Sequence, residues 1–151
     1  MRQRGFFAIG ICHAKKEVNI GTLFRTAQSY GAAFVFTVGR RYKTQASDTT
    51  KAWRHVPLYH YATIDELVES LPYSCPLVGI ELDPRAYPIK NYVHPERAVY
   101  LLGAEDHGLT NEERDRCHQL IQLPGTYCIN VATAGAITMF DRMNKTEGKV
   151  A

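Results

Sequence analysis

The stretch AVYLLGAEDHGLTNEERDRC, residues 98–117, reads as a strand, a tight turn and a helix in direct succession. Its apolar residues run on through 98–102 without alternating with polar ones, the pattern of a strand covered on both faces. Gly103 and Gly108 bracket the turn. Thr110 and Glu113 then form the T-x-x-E capping box that opens a helix over NEERDRC. Working outward, FFAIGIC (6–12), AAFVFTV (32–38), PLVGIEL (76–82) and LIQLP (120–124) show the same continuous apolar character. Helical patterns lie between them. Residues 19–30 place Ile20, Leu23, Phe24 and Ala27 on one stripe, with Gly31 as a stop. Thr63 and Glu66 make a second capping box before TIDELVESL. A last helix, from about residue 130 to 143, begins with the small residues VATAGA ahead of Ile137, Met139 and Phe140. Strands and helices in this alternation predict an α/β fold built on a parallel sheet flanked by helices, with ligands beyond the carboxyl ends of the strands.

The chain of 151 residues is expected to form a single domain, 1–151, long enough to bury roughly 70% of its unfolded surface. Its 45% hydrophobic and 22% charged residues exclude a disordered chain. No apolar run approaches the length of a membrane span and no signal-like core is visible, so a soluble cytoplasmic protein without a membrane partner is expected. The cysteines at 12, 75, 117 and 128 lie too far apart for a C-x-x-C pair, which argues against a zinc site or a disulfide framework. No metal is expected. The net charge of +3 is modest but uneven: GRRYKTQASDTTKAWRH gathers Arg40, Arg41, Lys43, Lys51 and Arg54 against Asp48 alone. A polyanion could dock there.

Three segments carry the chemistry. In NIGTLFRTAQSYGA, Arg25 lies off the apolar stripe beside Gly21, whose place inside a helix costs about 1 kcal/mol unless a close neighbour compensates. In the 103–108 turn, the glycines allow backbone to approach a ligand, and Glu105 can accept a hydrogen bond or face a cation. This turn is neither a dinucleotide fingerprint nor a P-loop. In LIQLPGTYCINVATAGAI, Pro124 and Gly125 break the strand, Asn130 is a good N-cap, and Gly135 implies that something packs tightly on the last helix.

Together, in order, the three segments resemble the signature motifs of the SPOUT methyltransferases, specifically the SpoU or TrmH class. Asn19, Gly21, Arg25 and Ala27 fill N-x-G-x-x-x-R-x-A; Gly103, Glu105 and Gly108 fill G-x-E-x-x-G; Leu123, Pro124, Cys128, Ile129 and Asn130 fill the third motif, with Cys128 where serine is usual and a shorter loop before it. The resemblance implies a C-terminal deep trefoil knot, an exception to unknotted connectivity, and a homodimer with its active site near the subunit interface. It also implies S-adenosylmethionine as cofactor, held by Ile80, Glu81, Leu102, Gly103, Gly108, Leu123, Cys128 and Ile129, and methylation of an RNA ribose 2′-hydroxyl. Of the small stand-alone members, those acting on tRNA set the expectation here, ahead of rRNA.

Methyl transfer from a sulfonium requires alignment and help in removing the hydroxyl proton. Arg25 is expected at the 2′-oxygen, supported by Asn19, Glu105 and Asn130. Since a guanidinium stays protonated in proteins, its role is to stabilise the forming alkoxide and anchor a phosphate. Arg40, Arg41, Lys43, Trp53 and Arg54 are expected to meet RNA, with Tyr42 and Trp53 stacking on unpaired bases. His107 is a candidate proton carrier. The alternative is a non-catalytic RNA-binding protein that keeps the fold, favoured by Cys128 and opposed by the intact Asn19, Arg25, Glu105 and Asn130. A hydrolase or dehydrogenase is disfavoured, because no P-loop, G-x-S-x-G elbow or G-x-G-x-x-G turn occurs.

Overall fold

The computed structural model describes residues 5–42 and 55–147. Seven strands form one sheet: β1 (Phe6–Cys12), β2 (Phe34–Val38), β3 (Leu58–Tyr61), β4 (Leu77–Ile80), β5 (Tyr87–Pro88), β6 (Arg97–Leu102) and β7 (Gln119–Gln122). They lie in the order β3-β2-β1-β6-β4-β7-β5, and every pairing is parallel. The helices are α1 (Glu17–Ser29), α2 (Ile64–Glu69), α3 (Asn111–Arg116) and α4 (Val131–Glu147). The five strands read from continuous apolar runs are all present. The two that were not read, β3 and β5, are the edges of the sheet. At β3 one flank is open, so LYHY carries exposed residues instead of an apolar run. At β5 the strand is two residues long and includes Pro88, tolerated at an edge because it has no amide to give a further neighbour.

Burial on both faces explains the missing alternation. Phe7, Ile9 and Ile11 of β1 pack with Ile20, Leu23, Phe24 and Ala27 of α1 and Val131, Ala134 and Met139 of α4. Ala8 and Cys12 point the other way, toward Phe36, Val38, and Ile64 and Leu67 of α2. Gly135 is where α4 is pressed hardest: a Cβ there would meet Leu23 of α1 and Leu102 of β6. Thr110 and Glu113 make the full reciprocal capping box. The box at Thr63 is only half formed: Thr63 accepts from the Glu66 amide, while the Glu66 side chain accepts from Ala62 N at 2.7 Å. β7 enters between β4 and β5, and α4 then packs beside α1, a path compatible with a threaded C-terminus.

A buried polar cluster fastens the second half of α4. His94, whose side chain is fully buried, places Nδ1 2.6 Å from Tyr100 Oη and Nε2 2.8 Å from Asp141 Oδ2. Arg142 donates to Pro95 O at 2.6 Å, to Glu96 O at 2.7 Å and to Tyr100 Oη at 3.2 Å. Lys145 donates to the carbonyls of Ile89 and Tyr92 and pairs with Asp141. Burial lowers the His94 pKa, against the opposing pull of Asp141. The folded imidazole therefore takes up its proton at a lower pH than the unfolded chain, which does so near pH 6.5. The unfolded state binds more protons below that pH, so stability falls on acidification. The melting temperature should drop between pH 7 and pH 5.5, and the drop should shrink in His94→Gln. An equal slope in both proteins would assign the effect elsewhere.

Candidate active site

The carboxyl ends of β4 and β6 and the amino end of α4 surround a cavity of about 450 Å³. Ile80, Glu81, Leu102, Gly103, Gly108, Cys128 and Ile129 line it, together with Asn19, Glu105 and Asn130. A smaller cavity of about 80 Å³ shares Ile80, Glu81, Cys128 and Ile129 with the first and adds Leu82, Leu123 and Tyr127. Every residue expected to hold a cofactor thus lines one or both. Lys16, Asp106, Tyr127 and Ala134 also line these spaces and had no signal in the sequence.

The glycines of the 103–108 turn serve its internal packing as well as lining the cavity. Ala104 and Gly108 exchange backbone hydrogen bonds of 3.3 and 2.9 Å, closing the turn on itself. A Cβ on Gly103 would lie under 3.0 Å from backbone atoms of Gly108 and Leu109, and one on Gly108 would strike the Glu81 carboxylate. Gly108 also has φ +67°, a conformation that favours glycine. Internal packing therefore requires glycine at both positions, whichever ligand their backbone also meets. Glu81 uses its side chain within the fold: Oε2 accepts from Leu109 N at 2.7 Å and Oε1 from Leu82 N at 3.0 Å. The end of β4 is thereby latched to the turn that follows β6.

A chain of hydrogen bonds runs along the cavity wall. Asn130 caps α4, its Oδ1 accepting from Ala132 N at 2.9 Å and Thr133 N at 3.2 Å. Its amide nitrogen donates to Asn19 Oδ1 at 3.1 Å, and Asn19 Nδ2 donates to Glu105 Oε1 at 3.2 Å. Glu105 further accepts from Lys15 N at 2.9 Å and Lys16 N at 3.3 Å. Burial raises the Glu105 pKa, but these amides and Asn19 outweigh it and hold the carboxyl below its ordinary value. Glu105 is an acceptor with filled oxygens; it orders the site and is not poised to take a proton.

Arg25 stands apart from this network. It is exposed, lines neither cavity, and its guanidinium pairs with no acid among the described residues. Six residues at 100° each put it about 120° around α1 from Asn19. Seven residues put it on the face of Val18, which is 58% exposed. The neighbour over Gly21 is the Tyr42 hydroxyl, and the Tyr42 ring packs edge-on against Phe24 at 5.6 Å. Tyr42 is thus engaged within the fold, where a base-stacking role had been expected.

Of the basic stretch, Lys43, Trp53 and Arg54 lie outside the described residues, as does Lys51. Arg40 and Arg41 are both exposed, and Arg40 Nη1 donates to the carbonyls of Ala14 and Lys15. His107 is exposed, with Nδ1 3.1 Å from the Gly108 carbonyl oxygen. Burial pushes the Cys117 thiol up to about 12 and the Cys12 thiol higher still. Cys128 is exposed on the cavity wall. Among the described residues, no three His, Cys, Asp or Glu side chains are grouped to hold a metal ion, and no helix is long and apolar enough to cross a membrane.

The model of the SpoU rRNA Methylase family matches residues 7–140. The 23S rRNA (guanosine-2′-O-)-methyltransferase RlmB of Acinetobacter baylyi is 24% identical over 139 residues, 86% of this chain and 56% of the relative, so this chain spans about half of that protein. Among solved structures, the A. aeolicus TrmH/SpoU tRNA modifying enzyme superposes with a TM-score of 0.85 at 18% identity, covering 99% of this chain and 79% of that one. A structure concerned with the 2-OH methylation of C/U34 on tRNA gives 0.81 at 17% identity, covering 96% and 99%. An AdoMet-bound rRNA methyltransferase from Sinorhizobium meliloti gives 0.80 at 22% identity, covering 94% and 57%. At these identities the superpositions establish the fold.

Proposed function

The chain belongs to the SpoU rRNA Methylase family, and from that premise we propose that it methylates a ribose 2′-hydroxyl of RNA, using S-adenosylmethionine. The observation that carries this reading is the hydrogen-bonded series Asn130, Asn19, Glu105 on the wall of a cavity at the strands' carboxyl ends. The cavity suits the cofactor chemically. Ile80, Leu102, Leu123 and Ile129 offer apolar surface to a purine, and Glu81 and Glu105 place carboxylates beside it that favour a cation. When bound, S-adenosylmethionine supplies an electrophilic methyl carbon on a sulfonium sulfur. The chain's own residues supply alignment. Asn19 and Glu105 fix the start of α1 against the 103–108 turn, and Asn130 fixes the start of α4. Arg25, whose guanidinium pairs with no acid among the described residues, stabilises the 2′-oxygen as its proton leaves and anchors the neighbouring phosphate.

A compact tRNA is the preferred substrate. Support comes from the likeness in fold to the A. aeolicus tRNA modifying enzyme and to the structure concerned with 2-OH methylation of C/U34 on tRNA. The functional unit is a homodimer. Val18 of α1 and Phe140 of α4 are each 58% exposed on helices that pack side by side, and Ile129 and Ile137 are each 39% exposed. A second copy covering these residues would also cover the α1 face that carries Val18 and Arg25.

Calorimetric titration with S-adenosylmethionine and S-adenosylhomocysteine tests the reading, followed by tritium transfer to tRNA and to rRNA. Micromolar binding near one site per chain, with label retained in tRNA as a 2′-O-methyl nucleoside, is expected. A folded protein that binds RNA but neither cofactor form would replace this reading with the non-catalytic one, for which Cys128 in place of serine would be the reason.

A further inference from the structure

Residues 14–16 join β1 to α1 and set where Lys16 and Asn19 meet the cavity. The chain leaves β1 through His13 at φ 49°, a left-handed conformation that a non-glycine residue adopts at a cost. Lys16 occupies the N-cap position of α1, yet its side chain caps nothing. The start of α1 is instead held from outside, by two residues acting on one peptide unit after another. Glu105 accepts the Lys15 and Lys16 amides at 2.9 and 3.3 Å. From the other side, Arg40 Nη1 donates to Lys15 O at 2.7 Å and Ala14 O at 3.1 Å, while Nη2 lies 3.7 Å from Glu17 Oε1.

We propose that Arg40 is a positioning residue of the methyl-transfer site: its guanidinium clamps loop 14–16 against Glu105 and so fixes Asn19 in the cavity wall. It rests on reading that cavity as a methyl-transfer site. Residue type and place in the sequence suggest a phosphate contact, but Nη1 of this half-exposed side chain is committed to two carbonyls of the loop. Charge-assisted bonds to carbonyls are stronger than neutral ones, and each polarises the peptide whose amide Glu105 receives. A lysine ammonium lacks the planar fork that reaches two carbonyls and a carboxylate together.

The test compares Arg40→Ala, Arg40→Lys and Arg41→Ala in the full chain, with far-UV circular dichroism confirming that each folds. For Arg40→Ala, kcat should fall by at least about 10-fold, since small misplacements near the chemistry are costly. The KM for tRNA and the salt dependence of binding should stay at wild-type values, and the Lys15 and Lys16 amides should exchange faster with solvent. Arg40→Lys should recover only part of the loss. Arg41→Ala should show the opposite split, a raised KM and a salt slope reduced by about one. An Arg40→Ala variant that behaves like Arg41→Ala, or that leaves exchange at Lys15 and Lys16 unchanged, overturns the clamp. If the wild type transfers no methyl group to any RNA, the functional reading fails while amide exchange still decides the clamp.

Discussion

Arg25→Ala should lower methyl transfer by on the order of 10²–10³-fold, the loss typical of deleting one preorganised stabiliser of a developing oxyanion, while leaving S-adenosylmethionine affinity within about twofold of wild type. The separation follows from where the side chain lies. Arg25 lines neither cavity and pairs with no acid among the described residues, so its removal takes nothing from the pocket. The fold should be indifferent too. Arg25 is exposed, off the buried stripe of Ile20, Leu23, Phe24 and Ala27 that packs α1 on the sheet. Lysine at this position should recover little, because a point charge does not reproduce the bidentate fork that holds a phosphate and an oxyanion together. Single-turnover tritium transfer at saturating cofactor measures the chemical step directly. Wild-type turnover in Arg25→Ala would remove the residue from the mechanism, and loss of cofactor binding would place it in the pocket.

Gly103→Ala should destabilise the protein by about 3 kcal/mol or more, at or above the upper end of ordinary overpacking. At most positions an added methyl pushes aside the end of a flexible side chain. Here it would meet the Gly108 and Leu109 backbone at under 3.0 Å. Those atoms cannot move independently. Gly108 is tied to Ala104 by paired backbone bonds, and Leu109 N is held by Glu81 at 2.7 Å. Relief would require opening the turn, which breaks the Glu81 latch and leaves Glu105 displaced from the Lys15 amide. The melting temperature should therefore fall by roughly 6–12 °C, at about 2–4 °C per kcal/mol for a chain of this size, and residual protein at low temperature should bind S-adenosylmethionine poorly. A comparison with Gly135→Ala makes the test specific. There the obstructing atoms are the tips of Leu23 and Leu102, so a smaller loss is expected. Equal losses at the two sites would mean that the turn is more pliable than its bonding implies.

The α/β architecture is written in the sequence, and so are the motif residues Asn19, Glu105 and Asn130 that come together on one cavity wall. Five strands were legible because burial on both faces leaves an unbroken apolar run, and the helices because stripes and T-x-x-E boxes are written within a few neighbouring residues. Asn19, Glu105 and Asn130 were legible as a set through their resemblance to motifs, and the structure joins them by hydrogen bonds. What tertiary structure alone decided depends on partners far apart in the chain. The edge strands β3 and β5 were invisible because an edge has no second neighbour to demand apolar residues. The carboxylate of Glu105 meets a backbone amide 90 residues away, that of Glu81 one 28 residues away, and the guanidinium of Arg40 a carbonyl 25 residues away. No local pattern records such pairings. A charged side chain shows in sequence only its charge; whether it faces solvent, a ligand or the protein's own peptide groups is settled by the strands and loops that the fold brings beside it.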